Sequence, residues 1–129
     1  MSFVRFVIRA DDEDSGRRQG LFQAIAALED DNALLEHEQT LADETRKWFG
    51  RHLEAPSRPA KSSKRHAKKV ALSWFRDTAR EHIARMHALA HVLECHGIHV
   101  EIIRTDRPGY VVYEDAHQIA AEPFNDSGA

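Results

Sequence analysis

Three groups of side chains in this sequence have the types and spacing to do chemistry. His87, His91 and Glu94 recur at i, i+4 and i+7, which places them on one helical face, and two imidazoles one turn apart can grip zinc. The zinc-binding helix of metal hydrolases wants a glutamate directly after the first histidine, and Ala88 stands there. The trio therefore reads as an ordinary wet surface before it reads as a metal site, and no cofactor is expected. The second group is Glu81 and His82 with Arg104 and Tyr113. Brought together, these would supply an acid or base, an anion clamp and a phenol, with Glu114 and Asp115 beside them. Each also has a plain structural role: Glu81 completes a helix cap, His82 flanks a core, and Glu114-Asp115 makes a turn.

The third group is basic. Arg58, Lys61, Lys64, Arg65, His66, Lys68 and Lys69 crowd one segment, and such residues make phosphate contacts whose affinity falls with salt. Between Arg51 and Lys69, seven lysines and arginines stand against one acid, Glu54. That leaves +6 there and, with the whole chain at −3, −9 on the remainder. The segment lacks interleaved aromatics for base stacking, and no recognition helix, zinc finger or glycine-rich phosphate loop accompanies it.

The elements that must position these groups are legible from periodicity. Phe3 to Ala10 alternates, with Val4, Phe6 and Ile8 on one face and Arg5 and Arg9 on the other, as in a half-buried strand. After the acidic run Asp11 to Asp14, Ser15 can cap a helix carrying Leu21, Phe22, Ile25 and Leu28. A second amphipathic helix follows, through Leu41, Thr45, Trp48 and Phe49, with Gly50 as its expected stop. Residues 52–69 read as an exposed basic loop. Val70, Leu72 and Trp74 suggest a short strand, and Thr78-Ala79-Arg80-Glu81 matches a capping box for a third helix ending at Gly97. Ile98 to Arg104, Tyr110 to Tyr113 and His117 to Ala121 read as three strands, with a turn at Asp106-Arg107-Pro108-Gly109. The expected fold is α+β: a mostly antiparallel sheet with helices packed on one face, in the order β-α-α-(β)-α-β-β-β, ending in a C-terminal β-meander. One domain should span 1–124, with a frayed tail at 125–129.

Size and composition agree with a folded chain. Its 129 residues are 42% hydrophobic and 30% charged, enough apolar content for one core. Met1 to Arg5 alternates instead of forming the apolar centre of a signal peptide, and no apolar run is long enough to cross a bilayer. The single cysteine, Cys95, fits a reducing compartment and reads as a packed small side chain. A cytoplasmic protein with no membrane association is expected.

The stretch from Ser73 to Ile83, the junction His96-Gly97-Ile98 and the run Pro108 to Asp115 resemble a group of short, uncharacterised bacterial proteins. The resemblance spans residues 73–124, implies a bacterial cytoplasmic setting and carries no activity or site residue. The expectation from the charge asymmetry is a non-catalytic binding or regulatory module acting through a protein partner. It would work as a homodimer or as an inhibitor of a nucleic-acid enzyme. The alternatives are nucleic-acid or anion binding through the basic loop, and a small enzyme with its pocket between the start of the third helix and the C-terminal strands.

Overall fold

The computed structural model describes residues 2–11, 18–53 and 71–124, with main chain alone at 10, 11, 18 and 19. Its elements are β1 (Phe3–Asp11), β2 (Arg18–Gly20), α1 (Leu21–Asp30), α2 (Glu36–His52), β3 (Leu72–Arg76), α3 (Arg80–Cys95), β4 (Val100–Thr105), β5 (Tyr110–Glu114) and β6 (Gln118–Glu122). The α+β class, the antiparallel sheet and the element order match the sequence, with the three-residue β2 added. The basic residues Arg58, Lys61, Lys64, Arg65, His66, Lys68 and Lys69 lie outside the described residues.

β1 organises the sheet because its alternation buries one row of side chains and its backbone bonds on both edges. Along one edge it pairs with β4, from Phe3 opposite Thr105 to Ile8 opposite Val100. The other edge is shared: β3 takes Phe3 and Val4, and β2 takes the stretch from Val7 to Asp11. β3 continues to β6, and β6 to β5. The expected meander is therefore corrected. β5 and β6 form a hairpin, but β4 bonds to β1 and sits at the far edge of the sheet. Local periodicity shows that a strand exists, and its partner is fixed by burial across the whole sheet.

That arrangement forces curvature. From Thr105 to Tyr110 the chain takes five steps, a reach of roughly 18 Å. A flat sheet would separate the edge strands β4 and β5 by four spacings, roughly 19 Å. Curling brings them within reach. Ile103 on β4 accordingly packs with Leu72, Trp74 and Ile119 from β3 and β6, and every residue of β6 is buried. Gly109 serves the same connection: its φ is +140°, and a Cβ there would lie 2.1 Å from the Glu122 carbonyl oxygen.

The helices cover the other face. Val4, Phe6 and Ile8 meet Leu21 and Ile25 of α1, Phe49 of α2, and Met86, Leu89 and Leu93 of α3. Each such burial contributes roughly 1.5–3 kcal/mol. Polar ties fix the helices to one another. Glu29 on α1 takes a two-pronged ion pair from Arg46 on α2, and Gln39 Nε2 donates to the same carboxylate. Glu38, buried on α2, accepts from the Leu35 amide and lies 2.8 Å from His96 Nε2.

Three helix boundaries differ from expectation. α1 begins at Leu21 after Gly20, whose amide donates to Gln23 Oε1 (3.0 Å), and the Ser15 cap lies outside the described residues. α2 runs through Gly50 to His52, because nothing around Gly50 requires the helix to stop. α3 starts at Arg80 without the Thr78/Glu81 capping box, and Glu81 turns along the helix to Arg85 instead, at 3.3 Å. Gly97 does take the left-handed conformation expected of it, with φ +78°. Among the described residues no helix is long and apolar enough to cross a membrane.

Candidate functional site

The end of α2, the start of α3 and the β5–β6 turn enclose an open cleft of about 960 Å³. α2 contributes Trp48 and His52, one turn apart, so their rings stack at 4.4 Å and 15°. The Arg85 guanidinium lies over the same indole at 4.5 Å, a cation–π contact that holds Trp48 in place.

α3 contributes His82. One turn ahead of Met86, it occupies a core-facing position and is 4% exposed. Its ring packs edge-on to Trp48 at 4.7 Å and lies near Phe75 and Phe49. Nε2 stands 2.8 Å from the His52 carbonyl oxygen. A carbonyl only accepts, so the proton sits on Nε2 and Nδ1 carries the lone pair. Burial pushes the His82 pKa down, and the neighbouring His117 and His52 add to that. The bond to the His52 carbonyl and the charge on Asp115 oppose it without prevailing. The result is a neutral imidazole in the cleft wall.

The β5–β6 turn contributes His117, stacked on His82 at 4.4 Å and 28°. Asp115 shapes that turn. Its Oδ1 accepts from the amides of His117 and Gln118, and its Oδ2 from Tyr113 Oη (2.9 Å) and Gln118 Nε2 (3.1 Å). Burial alone would raise the Asp115 pKa, but these bonds outweigh it and hold the carboxyl below its ordinary value. Arg76 anchors the turn from β3, donating through Nε to the Asp115 carbonyl (2.8 Å) and through Nη2 to Glu114 Oε2 (3.0 Å).

The floor of the cleft is the first turn of α3. The helical ladder opens with Ile83 N donating to the Ala79 carbonyl, and Ala79 supplies no side-chain cap. The Glu81 and His82 amides therefore precede the ladder at the positive end of a 16-residue helix, the arrangement that attracts anions. Arg51 and Arg80 line the same cleft.

Of the residues singled out from sequence, Glu81 and His82 line the cleft and Tyr113 reaches it through Asp115. Arg104 does not join them; it is exposed on β4, opposite Val4 and on the far side of β1 from β3. The structure thus separates the expected anion clamp from the expected acid and base. His87, His91 and Glu94 follow separate courses. His87 abuts Phe6, His91 Nε2 lies 3.7 Å from Cys95 Sγ, and Glu94 Oε1 accepts from the Val100 amide at 2.7 Å. Among the described residues no group of three histidine, cysteine, aspartate or glutamate side chains could hold a metal ion.

Sequence reasoning missed His52, His117 and the role of Trp48. The i, i+4 spacing of Trp48 and His52 was the available local signal. His117 had none, because only the sheet brings the turn to α3. No protein-family model, no curated protein and no solved structure matches this chain.

Proposed function

We propose that this protein binds a small oxyanion, a carboxylate or a phosphate group, in the cleft between α2, α3 and the β5–β6 turn. The observation that carries this is the uncapped α3 N-terminus, whose Glu81 and His82 amides open beside the buried His82 ring. An oxyanion there would accept from both amides, and Arg51 and Arg80 in the lining offset the carboxylates of Glu81 and Asp115 that line the same cleft. Arg104, the clamp expected from the sequence, stands elsewhere on β4, so the cleft's own Arg51 and Arg80 are the cations nearest an anion bound there. Titrating acetate and inorganic phosphate at low salt, with amide chemical shifts as readout, should move Glu81 and His82 saturably. Flat amide shifts at both positions under both titrants would sink the proposal.

A second reading rests on a different surface. Among the described residues β5 stands at the end of the sheet order beside β6, and it exposes Tyr110 and Val111, 62% and 49% accessible. Two large apolar side chains exposed side by side invite contact with a second copy, in keeping with a module that acts through a protein partner. Val111→Lys should turn a dimer in light scattering into a monomer. A wild-type chain that is monomeric at high concentration rules this reading out.

A further inference from the structure

α2 carries a glycine where neither backbone nor packing asks for one. Gly50 lies inside the helix, two residues before its end, and a helical glycine forfeits roughly 1 kcal/mol against alanine. Its φ is not in the left-handed region, and a Cβ added there would find no heavy atom within 4 Å. What the absent side chain leaves open is a meeting place: Gly50 and Leu53 line both the histidine cleft and a second cavity beside it.

That second cavity holds about 460 Å³, within the range of roughly 300–1,000 Å³ typical of small-molecule sites. It exists because β3 parts from β1 after Val4 and Phe75, where β1 turns its edge to β2. Phe6, Leu21, Phe22, Phe49, Phe75 and Met86 form its apolar walls. Its polar lining is Arg5, Gln23, Ser73 and Gln118, with no carboxylate. One space is therefore apolar and free of acids, and the other holds Arg51 and Arg80 together with the carboxylates of Glu81 and Asp115. Of the two residues they share, Gly50 and Leu53, the first has no side chain.

We infer that the ligand is an amphiphilic oxyanion, with its head at the α3 N-terminus beside His82 and an unbranched apolar tail passing Gly50 into this cavity. The inference rests on the oxyanion reading and adds the chemical class of what the oxyanion carries. Each methylene transferred from water into the apolar walls should tighten binding about fourfold. The dependence should stop when the cavity is full.

The test is calorimetry with acetate, butyrate, hexanoate and octanoate at low salt, on wild type and Gly50→Leu, with the Met86 methyl signal followed by NMR. Leucine favours the helix over glycine, so this variant should fold while its side chain fills the passage. Affinity rising with chain length, with the Met86 methyl shifting for octanoate but not acetate, and a flattened dependence in Gly50→Leu would support the inference. Equal affinity along the series would overturn it while leaving the oxyanion reading standing. Failure of every acid, with no movement of the Glu81 and His82 amides, would overturn both. A chain-length gain that persists in Gly50→Leu would overturn the route past Gly50.

Discussion

His82 and His117 lie face to face, their ring centroids 4.4 Å apart, while the Nε2–H of His82 donates to the His52 carbonyl. Charging His82 would bury a cation against a second imidazole, and its folded pKa is accordingly depressed from 6.5. Below about 6.5 the unfolded chain then holds a proton that the folded chain refuses, so stability falls as pH drops from 6.5 to the folded pKa. The groups facing the ring are His52 from α2 and His117 and Asp115 from the β5–β6 turn. Urea unfolding at pH 7.5 and 5.5 should show a smaller loss on acidification in His82→Gln than in wild type. Equal losses would show that His82 does not contribute to the pH dependence.

The α1–α2 clamp makes a prediction at lower pH. Arg46, then Gln39, hold the Glu29 carboxyl at about 2 against an ordinary 4.5, with burial pulling weakly the other way. A depressed carboxyl stabilises the fold above the unfolded value and loses that contribution as pH falls from about 4.5 towards 2. Arg46 is about a third exposed, so solvent screening limits the pair to about 1 kcal/mol. Glu29→Gln should lose that amount at pH 7 and almost none at pH 2.5, measured by denaturant titration. An equal loss at both pH values would assign the effect to packing.

Two glycines should respond unequally to alanine. Gly97 has φ +78° with open space around it, so Gly97→Ala meets only backbone strain, about 1–2 kcal/mol. Gly109 combines φ +140° with a Cβ position 2.1 Å from the Glu122 carbonyl oxygen. Alanine there must push β5 away from the end of β6, at a cost above about 3 kcal/mol. Thermal melts of the two variants should rank in that order. A Gly109→Ala variant as stable as Gly97→Ala would mean that the turn relaxes freely.

Why some of this was legible in the sequence and some not follows from range. The alternation of Val4, Phe6 and Ile8 and the 3.6-residue recurrence of Met86, Ala90 and Leu93 are local, and they gave the element order and the core face. The partner of β4 was not local. Ile102 and Ile103 mark a strand whether β5 or β1 lies beside it, and only the completed sheet shows that β1 does. The candidate site divides the same way. Glu81 and His82 stood out because they open a helix, and Tyr113 because it precedes a turn. Joining them to Arg104 assumed a meander that would have carried β4 alongside β5. Gly50 misled for a related reason. Its type suits a helix end, but its use depends on two cavities that no local pattern describes.

The uncapped start of α3 sets stability against binding at one residue. Ala79 stands at the position where serine or threonine ordinarily accepts from the second or third amide of a helix, here those of Glu81 and His82. Ala79→Ser would offer a hydroxyl to the same donors that an oxyanion would use. The variant should gain about 0.5 kcal/mol in denaturant unfolding. It should also bind acetate or phosphate severalfold more weakly than wild type, since the site is then occupied from within. Calorimetry and unfolding on the same preparation read both quantities. A variant that gains stability and binds as tightly as wild type would show that the amides of the first turn are not where the anion sits. A variant that loses affinity without gaining stability would mean that the hydroxyl disturbs the His82 wall and not the helix end.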